Sequence, residues 1–245
     1  MERPVKLSDF KALTFDCYGT LIDWEPDMLG HLQPWLKRNG VAMSDDDLLE
    51  LNSRIMHEWE KAHPTMLYPE LMANTYRGLA KELKIPADEA EAKRFGNAVG
   101  DWRPFPDAKE ALAYLKKHYK LVILSNVDDA SVAKSAAQLG DVFDAIVTAE
   151  QVGSYKPVLN HFHEGFRRLE KMGVAKDQIL HTAQSLFHDH EPANKLGLHN
   201  AWIDRRAKRG GTVGASVAVA KRPHMDFRFE SMADFVAAHK KETGG

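Results

Sequence analysis

The residues of this chain with chemistry in reach are Asp16, Ser125, Asn126, Gln184, Ser185, Asp189 and Asp204, which follow the ends of short apolar runs, and Lys156, in the loop after another such run. A carboxylate faced by a lysine, hydroxyls, an amide and a second carboxylate suits covalent catalysis, with Asp16 as the nucleophile. Lys156 would hold Asp16 ionised and aimed, because an opposite charge within a few ångströms favours the charged carboxylate. Ser125 and Asn126 offer donors to an anion. Each residue also has a plainer reading. Asp16 is a turn former, Lys156 a rim ion pair, Ser125 and Asn126 caps before Asp128 and Asp129, and Asp189 a cap before Glu191 and Pro192.

Convergence is what favours chemistry, and it comes from the order of the elements. Apolar runs at Ala12–Phe15, Leu121–Leu124, Ala145–Thr148, Ile179–Ala183 and Asn200–Ile203 alternate with helical patterns. That alternation predicts a parallel sheet covered on both faces, an α/β, Rossmann-like doubly wound core. Right-handed crossovers put every strand's C-terminal end on one edge. The loop from Glu150 to Pro157 brings Lys156 to that edge. From Met28 to about Val99 the apolar residues recur only at helical spacing, with Ser44 and the acids after it as a helix start. The expected organisation is a core of residues 1–23 and 104–245 with an inserted helical cap domain at 24–103. A tail helix around Met232–Ala237 should pack on the core, with Phe235 and Val236 also available to a homodimer face.

Composition narrows the function classes. With 245 residues, 44% apolar, 28% charged and a net charge of -2, the chain can bury a sizeable core and has no global field for nucleic acid or an anionic membrane. One cysteine rules out an internal disulfide framework and fits a reducing compartment. The first residues lack the basic-then-apolar pattern of a leader, and no run approaches a spanning helix, so the cytoplasm is the expected location. Cys17 reads as a small core residue. The pairs His161/His163 and His188/His190 have an i, i+2 spacing poorly suited to chelation, so no metal is expected on them.

The sequences Asp16-Cys17-Tyr18-Gly19-Thr20-Leu21, Leu124-Ser125-Asn126, Tyr155-Lys156-Pro157 and Gln184-Ser185-Leu186-Phe187-His188-Asp189 resemble the four ordered motifs of the haloacid dehalogenase superfamily. Phosphatases of that superfamily carry a second aspartate two residues after the nucleophile, as general acid, and an acid opening the fourth motif that helps to hold magnesium. This chain has Tyr18 and Gln184 there. Halide leaves without a proton, so dehalogenation tolerates both losses, and the chain resembles the L-2-haloacid dehalogenases.

The resemblance implies hydrolysis of a small halogenated carboxylic acid with no metal or organic cofactor. Asp16 attacks the halogen-bearing carbon, and water then cleaves the resulting ester. Thr20, Ser125 and Lys156, with the amides of Cys17 and Tyr18, orient Asp16 and the substrate carboxylate. Asn126 and a cap arginine cradle the halide, with Arg54 at about the family's position and Arg77 and Arg103 as alternatives. Asp189, with Ser185 and Gln184, positions the hydrolytic water. Phe162 stands where the family has an aromatic hydroxyl and His188 where it often has tryptophan, and a histidine there can donate to a halide, fluoride included. Arg205, Arg206, Lys208 and Arg209 could draw a carboxylate to the mouth. The rivals are a magnesium-dependent small-molecule phosphatase and a non-catalytic relative that binds a carboxylate or a partner protein.

Overall fold

The structure, a computed structural model, describes residues 5–207 and 219–244. The first strand, β1 (Ala12–Phe15), is buried at every position, as a strand with neighbours on both sides and both faces must be. Four helices follow with no strand among them: α1 (Trp24–Arg38), α2 (Asp45–Ala62), α3 (Tyr68–Leu83) and α4 (Glu89–Asn97). The core then resumes through α5 (Ala108–Leu115), β2 (Lys120–Ser125), α6 (Asp129–Gln138), β3 (Ala145–Thr148), α7 (Ala149–Val152) and α8 (Asn160–Lys171). It ends with β4 (Ile179–Ala183), α9 (Glu191–Lys195), β5 (His199–Ile203), β6 (Phe227–Phe229) and α10 (Met232–Thr243).

The described strands form a parallel sheet in the order β3-β2-β1-β4-β5-β6. The chain grows outward through β2 and β3 on one side of β1 and through β4, β5 and β6 on the other. The switch point therefore lies at β1 and β4, where open α/β sheets bind ligands. Register puts Phe15 opposite Ile123 and Thr182, so the next residue, Asp16, emerges between the ends of β2 and β4.

Side chains alternate across the sheet with the period of a strand. Leu121 and Ile123 join the cluster that holds Leu112 of α5 and Phe235 of α10, whereas Val122 and Leu124 join Phe162 and Leu169 of α8. The tail helix thus packs on the core, and Phe235 is fully buried, which takes it away from any dimer face. Ser44 caps α2 by accepting from the Asp47 amide. No helix among the described residues is long and apolar enough to cross a membrane.

Gly96 shows how tightly the inserted helices pack. A Cβ there would sit 2.2 Å from the carbonyl oxygen of Pro69, backbone that cannot rotate away. Gly96→Ala should therefore destabilise by about 1–3 kcal/mol, despite the gain of roughly 1 kcal/mol that alanine brings to a helix interior. Thermal unfolding checks this, and an unchanged or raised midpoint would contradict the close approach of α3 and α4.

Candidate active site

β1 delivers Asp16 into a tight turn. The amides of Leu21 and Ile22 both donate to the Cys17 carbonyl, and the Gly19 amide donates to that of Ile22. Gly19 has φ 95°, and a Cβ there would meet Trp24 at 3.2 Å and Gln184 at 3.4 Å, so both conformation and space call for glycine. The turn aims Thr20 backward. Its hydroxyl donates to Asp16 Oδ2 at 2.8 Å and accepts from the Gln184 amide at 2.9 Å, tying the first loop to the one after β4. Arg205 donates twice to the Thr20 carbonyl and pairs with Asp107 at 2.8 Å. It therefore braces this turn instead of drawing in substrate. Arg206 pairs with Glu25, and Lys208 and Arg209 lie outside the described residues.

Lys156 is 2% exposed and uses its ammonium on three acceptors: Asp16 Oδ1 at 2.9 Å, Asp189 Oδ1 at 2.8 Å and the Leu124 carbonyl at 2.9 Å. Asn126 holds the loop that carries it, accepting from the Lys156 amide at 2.6 Å and donating to its carbonyl at 3.3 Å. Asp189, fully buried in the short turn Leu186–His190, also meets His181 Nε2 at 3.1 Å, and His181 Nδ1 meets Thr14 at 2.9 Å. Asp189 Oδ2 is buried with no protein partner.

Electrostatics separates the two aspartates. Burial works against the charge of Asp189, but Lys156 and His181 outweigh it and hold the carboxyl well below its usual range. At Asp16 burial leads and the Asp189 charge adds to it, so the carboxyl is raised although Lys156 and Thr20 oppose the shift. Burial also opposes the Lys156 charge, yet Asp16 and Asp189 hold the ammonium above its ordinary value. Burial pushes the Cys17 thiol and the Tyr18 phenol up and the His188 imidazole down. Cys17 is fully buried, and no thiolate chemistry follows from it.

A cavity of about 90 Å³ opens in front of Asp16. The core lines it with Asp16, Tyr18, Ser125, Asn126, Lys156, Gln184, Ser185, His188 and Asp189, so these predicted residues are brought together. Thr20 and Cys17 stand behind Asp16. Tyr18 shares a hydrogen bond of 2.8 Å with Ser135, and Gln184 is neutral. Gln184, a neutral amide, stands where the resemblance would need a carboxylate to help hold magnesium, so the cavity lacks one of that ion's charged oxygen ligands.

Several expectations need correction. Arg54 is exposed and pairs with Glu58 and Glu82 at 3.0 Å, outside the cavity lining. Arg77 pairs with Glu89 and Arg103 with Asp27, so no arginine lines the cavity among the described residues. Asp204 follows β5, one strand beyond the switch point, and pairs with Arg228 at 2.6 Å. Asn126 lines the cavity and also fixes the loop of Lys156 through that residue's backbone. His161 meets the Ser125 carbonyl, while His190 meets Asn200 and the Ala183 carbonyl.

Sequence reasoning missed Asn52, Met56 and Glu60, an i, i+4, i+8 stripe of α2 that faces the cavity, together with Trp102 and His181. Neither amide atom of Asn52 nor the indole nitrogen of Trp102 has a hydrogen-bond partner, although both residues are buried. Such orphans cost about 1–3 kcal/mol each unless a ligand satisfies them. The available signals were polar residues inside apolar patterns: Asn52 and Glu60 on a helix face, His181 in the middle of a strand.

The description "haloacid dehalogenase-like hydrolase" matches residues 10–182. The chain is 23% identical over 204 residues to haloacetate dehalogenase H-2 of Moraxella sp. (strain B), spanning 81% of this chain and 88% of that protein. Its fold matches that of a solved L-2-haloacid dehalogenase with a TM-score of 0.76 at 23% identity, over 96% of this chain and 100% of the other. It matches the L-2-haloacid dehalogenase of Xanthobacter autotrophicus with a TM-score of 0.74 at 20% identity, over 93% and 97%.

Proposed function

The chain belongs to the haloacid dehalogenase-like hydrolases, and on that footing we propose that it hydrolyses the carbon–halogen bond of a short 2-haloalkanoic acid through an ester on Asp16. The observation that carries this reading is a buried carboxylate, braced by Lys156 and Thr20, that faces a small cavity with no carboxylic acid at position 18 to protonate a leaving alcohol, only a tyrosine hydrogen-bonded to Ser135. In the first step an Asp16 oxygen bonds to C2 of the acid from the side opposite the halogen, and halide departs with the bonding pair. In the second, water adds to the Asp16 carbonyl carbon and the hydroxy acid leaves with the original carboxylate oxygen. The free Oδ2 of Asp189 accepts from that water.

Ser125 and the Tyr18 amide receive the substrate carboxylate. The unpartnered donors Asn52 Nδ2 and Trp102 Nε1 receive the halide, the task that the resemblance gave to Asn126 and a cap arginine. Cavity volume limits the acid to a short one.

The test is halide release from fluoro-, chloro- and bromoacetate and both 2-chloropropionate enantiomers, with small phosphate esters alongside. Halide should appear, and added magnesium should leave its rate unchanged. Phosphate release stimulated by magnesium, without halide, would establish the phosphatase instead, and a chain that forms no ester with any of these compounds is a binding relative.

The pH profile gives a second check. Attack needs the Asp16 anion, and burial raises its pKa, so kcat/KM should fall as pH drops through a value above the ordinary aspartate value of 3.8. An acid limb at or below the ordinary aspartate value of 3.8 would contradict this assignment.

A further inference from the structure

Three carboxylates, Asp16, Asp189 and Glu60, line a cavity whose cation among the described residues is Lys156, and that cation is already shared by two of them. Glu60 is 5% exposed, and its ion-pair partners among the described residues are both histidines. His57 Nδ1 lies 3.3 Å from Glu60 Oε2, and His188 Nε2 lies 3.9 Å from the same oxygen. The three ligand atoms fall within 4.8 Å of one another. Ligands of a tetrahedral zinc ion, with bonds of ~2.0–2.1 Å, stand roughly 3.3 Å apart.

Two further observations point to an ion there. His188 Nε2 is buried with no hydrogen-bond partner, while its Nδ1 lies 3.3 Å from Ser185 Oγ. That outer contact fixes the ring and leaves Nε2 as the ligand atom, as is usual for metal-bound histidine. His57 and Glu60 stand one turn apart on a single face of α2, and His188 comes from the core turn after β4. Burying a carboxylate at this junction is costly unless a cation pairs with it, and a divalent ion would supply that pairing.

We propose that His57, Glu60 and His188 bind one divalent transition-metal ion of the zinc class, which joins α2 to the core and turns an open coordination position toward the Asp16 cavity. Two imidazoles and a carboxylate suit zinc or cobalt, and three protein ligands leave room for an exogenous one. The ion would also reverse the sign of the charge at this wall. On the dehalogenase reading, that allows an anionic acid to enter beside Glu60.

The test uses the full chain, stripped with a chelator and dialysed against zinc or cobalt. Metal content should reach one equivalent per chain, and the cobalt form should show the strong visible absorption of a four-coordinate ion. His188→Ala, Glu60→Gln and His57→Ala should each lose the tight equivalent while their circular dichroism stays that of the parent. His163→Ala, on the exposed face of α8, should keep it. No bound equivalent in the parent, or retention in all three ligand variants, would overturn the site. Chloride added to the cobalt form should alter its spectrum, and an unaltered spectrum would overturn the open position. Metal content is read without substrate, so failure here leaves the dehalogenase reading standing.

Discussion

Asp16→Asn should reduce halide release by on the order of 10⁴-fold or more, the scale on which covalent catalysis fails without its nucleophile. The replacement keeps the size of the side chain and its place beside Thr20 and Lys156. What it removes is the negative charge, and a neutral amide oxygen is a poor nucleophile toward carbon. Folding should survive, since Lys156 would still face one carboxylate, Asp189, at 2.8 Å. Halide release by the variant is to be measured with mass spectrometry of the protein, so that hydrolysis of the introduced amide back to aspartate is detected. Parent-like activity in a chain that keeps the amide would end the covalent account.

Lys156→Ala should also cost several orders of magnitude in turnover, for a different reason. Without the ammonium, the two buried carboxylates repel each other, and the pKa of Asp16 is pushed further up, which favours the protonated, unreactive form. Removing one partner from a buried ion pair costs about 3–5 kcal/mol of stability. A midpoint lower by several degrees is expected, in a chain that still unfolds cooperatively. A small alkylammonium ion should restore part of the activity by entering the space the side chain vacates, a rescue that an unfolded protein could not show. Full activity of this variant at neutral pH would mean that Asp16 needs no counter-charge, contrary to the 2.9 Å contact.

The sheet was legible because β1, β2, β4 and β5 are largely buried runs between helices and the edge strand β3 is an apolar run half buried, and a parallel strand covered on both faces leaves a continuous apolar signature. β6 was not. Its three residues, Phe227, Arg228 and Phe229, pair on one edge and give too short an alternation to read. Asp16, Ser125, Lys156 and Asp189 could be placed on one rim from topology alone, because strand ends are fixed by handed crossovers. The inserted helices carry no such rule. Arg54 lies two positions from both Asn52 and Met56, which on a helix is a rotation of about 200°, so the stripe that faces the cavity leaves Arg54 in solvent. A one-residue uncertainty in alignment is harmless in a loop but turns a helical side chain by about 100°. Asn52 and Glu60 showed in the sequence only as polar residues within an apolar helical pattern, whereas the place of Trp102 and the pairing of His188 with residues of α2 were open only to three-dimensional reading.

The fate of the water oxygen tests the role of Asp16 most directly. With enzyme in excess over haloacid in heavy-oxygen water, one turnover should place the label in the Asp16 carboxylate, read by mass spectrometry of the peptide that contains it. The hydroxyl of the first product should carry the original carboxylate oxygen. Label found in that hydroxyl, with the peptide unlabelled, would mean that water attacks the substrate carbon itself and that no ester forms.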